Sequence, residues 1–277
     1  GEEEAALSAD DEARVARLRA RLQALPSHAA EADVPDDLLQ VLREVGPMDK
    51  TLHHLRISLL EDEILLLVAA VVCPPGCALR QATAFIVAVL LPRVRGLGQP
   101  ASRALLSALT AVARGHPRAA VESLILPLLS PPDGSPPPGS AQVEVVSRIA
   151  KDSLPPPSLS ALVATAVGAP DPAAAEGGVP ASALSPGWIA VLHLVLGLKP
   201  AIDARVMARL VEALDATVRA PDAPASLKLS NLVLAVVSKY SKEAAPVLPA
   251  LALVAERLPQ TGLKKAIISS IARALPK

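Results

Sequence analysis

The sequence predicts an all-α fold, a HEAT/armadillo-like solenoid of antiparallel helix pairs, on three observations. Of 277 residues only Phe85, Trp188 and Tyr240 are aromatic, yet 51% are hydrophobic. A core of Ala, Leu and Val suits close-packed helices and lacks the aromatics that strands favour. Apolar residues recur at helical spacing along most of the chain. The 28 prolines fall between these stretches, where they stop short helices.

Taken in order, helices are predicted over 10–24, 36–44, 48–58 and 60–72. Leu105, Leu106, Leu109, Val112 and Ala113 make one buried stripe. Val121, Leu124, Ile125, Leu128 and Leu129 make a second, and Pro127 inside it predicts a kink or an end. Trp188, Val191, Leu192, Val195 and Leu196 make a third. Leu229, Leu232, Val233, Val236, Val237 and Tyr240 make a fourth. First helices of successive pairs should start near Ala101, Ala141, Ser185, Ser226 and Thr261, and second helices near His116, Pro156, Asp203 and Glu243. The spacing is about 40 residues, the period of helix–turn–helix repeats that stack into a solenoid. A Pro/Ala/Gly stretch over 168–187 reads as a disordered insertion, and 130–140 as a soft loop. Residues 1–59 read as an acidic helical segment and 60–277 as the repeat domain.

Formal net charge is zero, but residues 1–63 hold 15 acids and 7 bases and the remainder 12 acids and 20 bases. That polarity can steer partners, and a solvated acidic lead-in is the simpler explanation. Two cysteines do not make a disulfide-dense scaffold. The longest apolar run, residues 64–73, is half of the about 20 residues a membrane span needs. The chain reads as soluble and intracellular, with no membrane partner.

Motifs of chemistry are absent. There is no P-loop, no His-Glu-x-x-His and no Gly-x-Ser-x-Gly. No catalytic residue and no cofactor is expected. Cys73-Pro-Pro-Gly-Cys77 is the one cysteine pair. His53 and His54 upstream would complete four ligands, but the spacing fits no zinc pattern and adjacent histidines diverge, so no metal is expected. The plainer reading is a core Cys at a helix end and a turn Cys. Glu61, Asp62 and Glu63 read as acids favouring a helix N-terminus. No motif sets a nucleophile beside His116. His193 reads as a core-edge histidine and Trp188 as core.

Bases cluster twice, at Arg93, Arg95 and Arg103 around a turn, and on the last helix. There Lys265, Ser269, Arg273 and Lys277 form a polar stripe opposite Leu263, Ile267, Ile271 and Leu275. A solvated face, a partner surface or a phosphate surface each account for it.

Leu90-Leu91-Pro92-Arg93-Val94, Leu97, Ala101-Ser102-Arg103 and Ala108-Leu109-Thr110 resemble the start of the C-terminal repeat domain of the Fanconi anaemia group E family. Val237-Ser238-Lys239-Tyr240 and Leu263-Lys264-Lys265-Ala266-Ile267 are similar to that family's later blocks, in the same order. The resemblance covers roughly residues 79–275. It implies a helical solenoid and a non-enzymatic subunit of the nuclear Fanconi core ubiquitin-ligase complex. Its partners would be the group C and F subunits and the monoubiquitination substrate loaded at DNA interstrand crosslinks. The family's aromatic at the start of the closing helix is Gly262 here. Leu263, Lys264, Lys265 and Arg273 are then the expected substrate-binding residues, with Arg93, Arg95 and Arg103 as a possible second surface. A nucleic-acid-binding repeat or a generic interaction scaffold is the alternative, with direct DNA contact weakly supported by the charge.

Overall fold

The computed structural model describes residues 9–25, 35–45, 61–131, 136–169, 182–220 and 227–274. Among them every regular element is a helix and none is a strand. The expected helix at 48–58 and the histidines at 53 and 54 lie outside the described residues. The chain divides into two compact units, 1–145 and 146–277. The boundary expected at 59/60 lies outside the described residues.

In the first unit α1 (Ala9–Gln23) and α2 (Asp36–Val45) bury Val15, Leu18, Leu22, Leu38, Leu39 and Leu42. An Arg21–Asp37 ion pair of 2.8 Å joins them. α3 (Asp62–Val72) starts with acids in its first turn and is buried on most sides. It packs on α2 and on α5 (Arg103–Gly115). Two longer helical runs, α4 (79–95) and α6 (117–129), pack on each other. α5 begins at Ser102, whose hydroxyl accepts the Leu105 N–H at 3.1 Å. This side-chain cap is why the helix starts there.

Pro127 does not end its helix. Residues Val121–Ile125 form a π turn, and the Leu126 N–H bonds five residues back to the Val121 carbonyl. The wider turn gives the following proline ring room against the carbonyl it would otherwise strike, and helix resumes over Leu126–Leu129. α4 repeats the device: Ile86–Leu90 is a π turn, the Leu91 N–H reaches the Ile86 carbonyl, and Pro92 follows. All five residues of the expected 121–129 stripe are buried.

The division between units falls inside α7 (Ser140–Asp152). The second unit holds α8 (Pro156–Ala166), α9 (Pro186–Gly197), α10 (Ala204–Arg219), α11 (Leu227–Lys239), α12 (Leu248–Arg257) and α13 (Gly262–Ala274). α9 packs on α11 and α11 on α13, while α10 packs on α12. Ser185 accepts the Trp188 N–H and Asp203 the Val206 N–H, fixing the starts of α9 and α10. The stripes from Trp188 and from Leu229 are buried as read.

The insertion read over 168–187 is shorter at its C-terminal end. Leu184 is buried, and its N–H donates to Thr217 Oγ1 at 2.8 Å. Pro186 and Gly187 already belong to α9. The apolar anchor Leu184 escapes a reading based on Pro/Ala/Gly composition, although the helix start near Ser185 was expected. Residues 170–181 lie outside the described residues.

Candidate functional site

The expected substrate-binding residues lie on α13 but face different ways. Leu263 is half-buried, and Lys265 and Arg273 are exposed. Eight residues separate the two bases, about 12 Å along a helix. Arg273 bonds within its own helix, to the Ser269 carbonyl at 3.3 Å and Ser270 Oγ at 3.2 Å. Lys264 is different: it is 8% exposed. Its ammonium donates to the Glu256 and Leu258 carbonyls at the C-terminal end of α12. A cation in the first turn of α13 looks misplaced against that helix's own dipole. It is explained by the neighbouring helix end, whose last carbonyls lack partners and carry partial negative charge.

The second basic group is also partly engaged. Arg93 holds Asp62 Oδ1 through Nε at 3.1 Å and Nη2 at 2.8 Å. The pair borders a depression of about 520 Å³ lined further by Gly96, Leu97, Gln99 and Ser102. With Asp62 in its wall, this depression does not present a free cation to a phosphate. Arg95 is exposed, with Nη2 donating to the Pro127 carbonyl at 3.2 Å, and Arg103 is exposed at the start of α5.

Helix ends consume polar side chains elsewhere too. The Gln142 amide donates to the Val94, Arg95 and Leu97 carbonyls at 3.3, 3.1 and 2.9 Å, closing the end of α4. The Gln81 amide reaches the Val72 carbonyl at the end of α3. Lys239 donates to the carbonyl of Gly197, the last residue of α9, at 3.3 Å, and the Tyr240 hydroxyl to the carbonyl of Pro200, just past α9, at 3.1 Å. The Lys-Tyr block singled out in the sequence therefore ties α11 to the end of α9. Burial, aided by the nearby Glu243 charge, pushes the Tyr240 phenol up to about 12.

One cluster was not assembled by the sequence reading. Cys73 caps α3, and Pro74-Pro75-Gly76 turns the chain so that Cys77 faces back, 3.9 Å from it sulfur to sulfur. Gly76 has φ +88°, a value glycine adopts without strain. At Gly115 a Cβ would stand 3.3 Å from the Pro75 backbone, so glycine permits a close approach there. That approach brings His116 Nε2 to 3.3 Å from Cys77 Sγ. Nε2 is also 2.9 Å from the Pro74 carbonyl, which can only accept, so it carries the proton. Cys73 and His116 are buried and Cys77 half-buried. Burial, with the Cys77 charge behind it, raises the Cys73 thiol far above its ordinary value. Burial raises Cys77 too, against an opposing hydrogen bond from Cys73. A Cys–His nucleophile needs a thiolate. Here the fold favours the thiol and commits the imidazole proton to a carbonyl.

Of the other residues singled out, Trp188 is buried as read. His193 is exposed rather than at the core edge, since it lies on the face of α9 away from Val191, Leu192 and Val195. No helix among the described residues is long and apolar enough to cross a membrane. Against protein-family models and curated proteins, the chain matches none.

Proposed function

We propose that the chain is a non-enzymatic adaptor built as a HEAT/armadillo-like solenoid of antiparallel helix pairs. The observation that carries this reading is a set of side-chain bonds recurring one repeat apart. Cys77 and His116 are 39 residues apart, Gly168 and Arg209 41, Gly197 and Lys239 42, Pro200 and Tyr240 40, Asp215 and Arg257 42. Bonds at offsets near 40 residues are what stacked repeats make with their sequence neighbours, although other cross-helix bonds span 31, 32, 33, 45 and 48 residues. Such stacks offer extended surfaces to partners.

The resemblance to the Fanconi anaemia group E family supplies the setting: a nuclear core ubiquitin-ligase complex with group C and F subunits, serving crosslink repair. In this reading Lys265 and Arg273, with Leu263 at their edge, receive the monoubiquitination substrate, and Lys264 supports the helix that carries them. Affinity purification from nuclei tests it. The unmodified chain is expected to retain both core subunits and the substrate. Lys265→Glu with Arg273→Glu should keep the subunits and lose the substrate. Recovery of neither class overturns the adaptor reading; full substrate retention by the variant overturns the assigned face. Direct DNA binding with a steep salt dependence would favour the nucleic-acid alternative, which the engaged Arg93, Arg209, Lys239 and Lys264 weaken.

A further inference from the structure

We propose that Cys73, Cys77 and His116 bind a zinc ion, with water completing a tetrahedral site. The three donor atoms all lie within 4.8 Å of one another. Zinc–sulfur bonds of about 2.3 Å and zinc–nitrogen bonds of about 2.0–2.1 Å at tetrahedral angles put sulfurs ~3.8 Å apart and sulfur and nitrogen ~3.6 Å apart. The observed separations are 3.9 and 3.3 Å. These two are the Cys73–Cys77 and Cys77–His116 separations; the Cys73–His116 separation lies within the same 4.8 Å bound.

The ligand set selects the metal class. Two thiolates and an imidazole suit zinc and other borderline or soft ions, and do not suit magnesium or calcium, which take oxygens. Charge balance favours a divalent ion. Binding removes one proton from each thiol, and the two thiolates neutralise the ion, so no net charge is buried. The imidazole stays neutral overall: its proton moves from Nε2 to Nδ1, freeing the Nε2 lone pair for the metal. The Pro74 carbonyl gives up its hydrogen bond in exchange, which is a cost to affinity. The half-buried side of Cys77 leaves access for the water.

A disulfide is the competing use of the pair. It requires the sulfurs to close from 3.9 Å to about 2.05 Å and would leave His116 with only its bond to the Pro74 carbonyl. A metal uses all three groups, and it staples the turn after α3 to the junction of α5 and α6. Both segments belong to the first unit.

The test uses the full chain, reduced and stripped with a chelator. Zinc titrated against a chromophoric competitor should bind at one equivalent, releasing two protons per ion near neutral pH, and should raise the melting temperature. Cobalt in its place should give the visible bands of a tetrahedral site and a thiolate-to-cobalt charge-transfer band. Cys77→Ser, chosen because Cys77 is the least buried ligand, should lose that band with helicity retained. Should this variant lose helicity, the cobalt spectrum and proton count of the unaltered chain decide alone. No stoichiometric binding, a cobalt spectrum without thiolate character, or a charge-transfer band unchanged in Cys77→Ser would overturn the site. So would a Cys73–Cys77 disulfide that persists under reductant.

Discussion

The turn at residues 73–77 and the start of the last helix reward opposite ways of reading a sequence. At 73–77 the local pattern pointed to nothing, because the upstream pair His53 and His54 is adjacent and diverges and the spacing is unfamiliar. The fold then set His116 beside it, 3.3 Å from Cys77. At 262–265 the family resemblance pointed to a docking face, carried by two lysines in a turn where acids are favoured. The fold then buried one of them against the end of α12. In both places the deciding neighbour lies at the end of another helix. A residue's use follows from what stacking places beside it, and charge or spacing along the chain reports that only indirectly.

The sharpest way to break this contrast is to separate the two lysines. Lys264→Glu removes two hydrogen bonds from the end of α12 and turns a carboxylate toward carbonyl oxygens in a nearly closed site. Loss of a charged donor and burial of an unpaired charge together should cost roughly 3 kcal/mol or more. Urea unfolding followed by circular dichroism measures it. Destabilisation of only a few tenths would return Lys264 to the surface.

What the sequence made legible was local. The helices after Ser102, Ser185 and Asp203 start within about two residues of expectation because those side chains cap them by chemistry contained in three or four residues, whereas the helix expected near Glu243 begins only at Leu248, after a 3-10 turn over Ala245–Val247. The 121–129 stripe is buried throughout because period alone defines a helix face. The π turns escaped, since a proline within an apolar run reads as a stop unless the turn before it widens. The Cys77–His116 approach escaped because 39 residues part the two. A signal was nevertheless present. Pairing polar residues one repeat apart brings Cys77 to His116, and by the same rule Arg257 to Asp215.

Gln142 extends the comparison to a neutral group. Its single amide nitrogen serves three carbonyls at the end of α4, so Gln142→Leu leaves them without that donor. Because an unsatisfied buried acceptor costs its desolvation, a loss of about 1–2 kcal/mol is expected. A negligible change in the urea midpoint would mean that water serves those carbonyls as well as the amide does.

Tyr240 gives the same kind of contact a pH signature. Its phenol is pushed up to about 12, above the usual value near 10. Between those values the unfolded chain loses the proton that the folded chain keeps. The contribution is therefore complete below about pH 10 and falls as pH rises toward 12. Tyr240→Phe should lower stability at neutral pH by about 1 kcal/mol, through the lost bond to the Pro200 carbonyl. It should also flatten this part of the alkaline decline. Parallel decline in both proteins would show that Tyr240 titrates as in the unfolded chain.

The smallest expected effect completes the lysine pair. Lys265 is exposed one residue beyond Lys264, and no carbonyl of a neighbouring helix accepts from it among the described contacts. It stands in the first turn of α13, where the helix N-terminus carries partial positive charge. Lys265→Glu replaces an unfavourable charge with a favourable one in open solvent. The melting temperature should stay level or rise, by a few tenths to ~1 kcal/mol in stability, and the gain should shrink in high salt. Thermal melts at two salt concentrations measure this. The same substitution should weaken retention of the substrate protein, so stability and binding move in opposite directions. A marked loss of stability would mean that Lys265, like Lys264, is held by the fold and is not free for a partner.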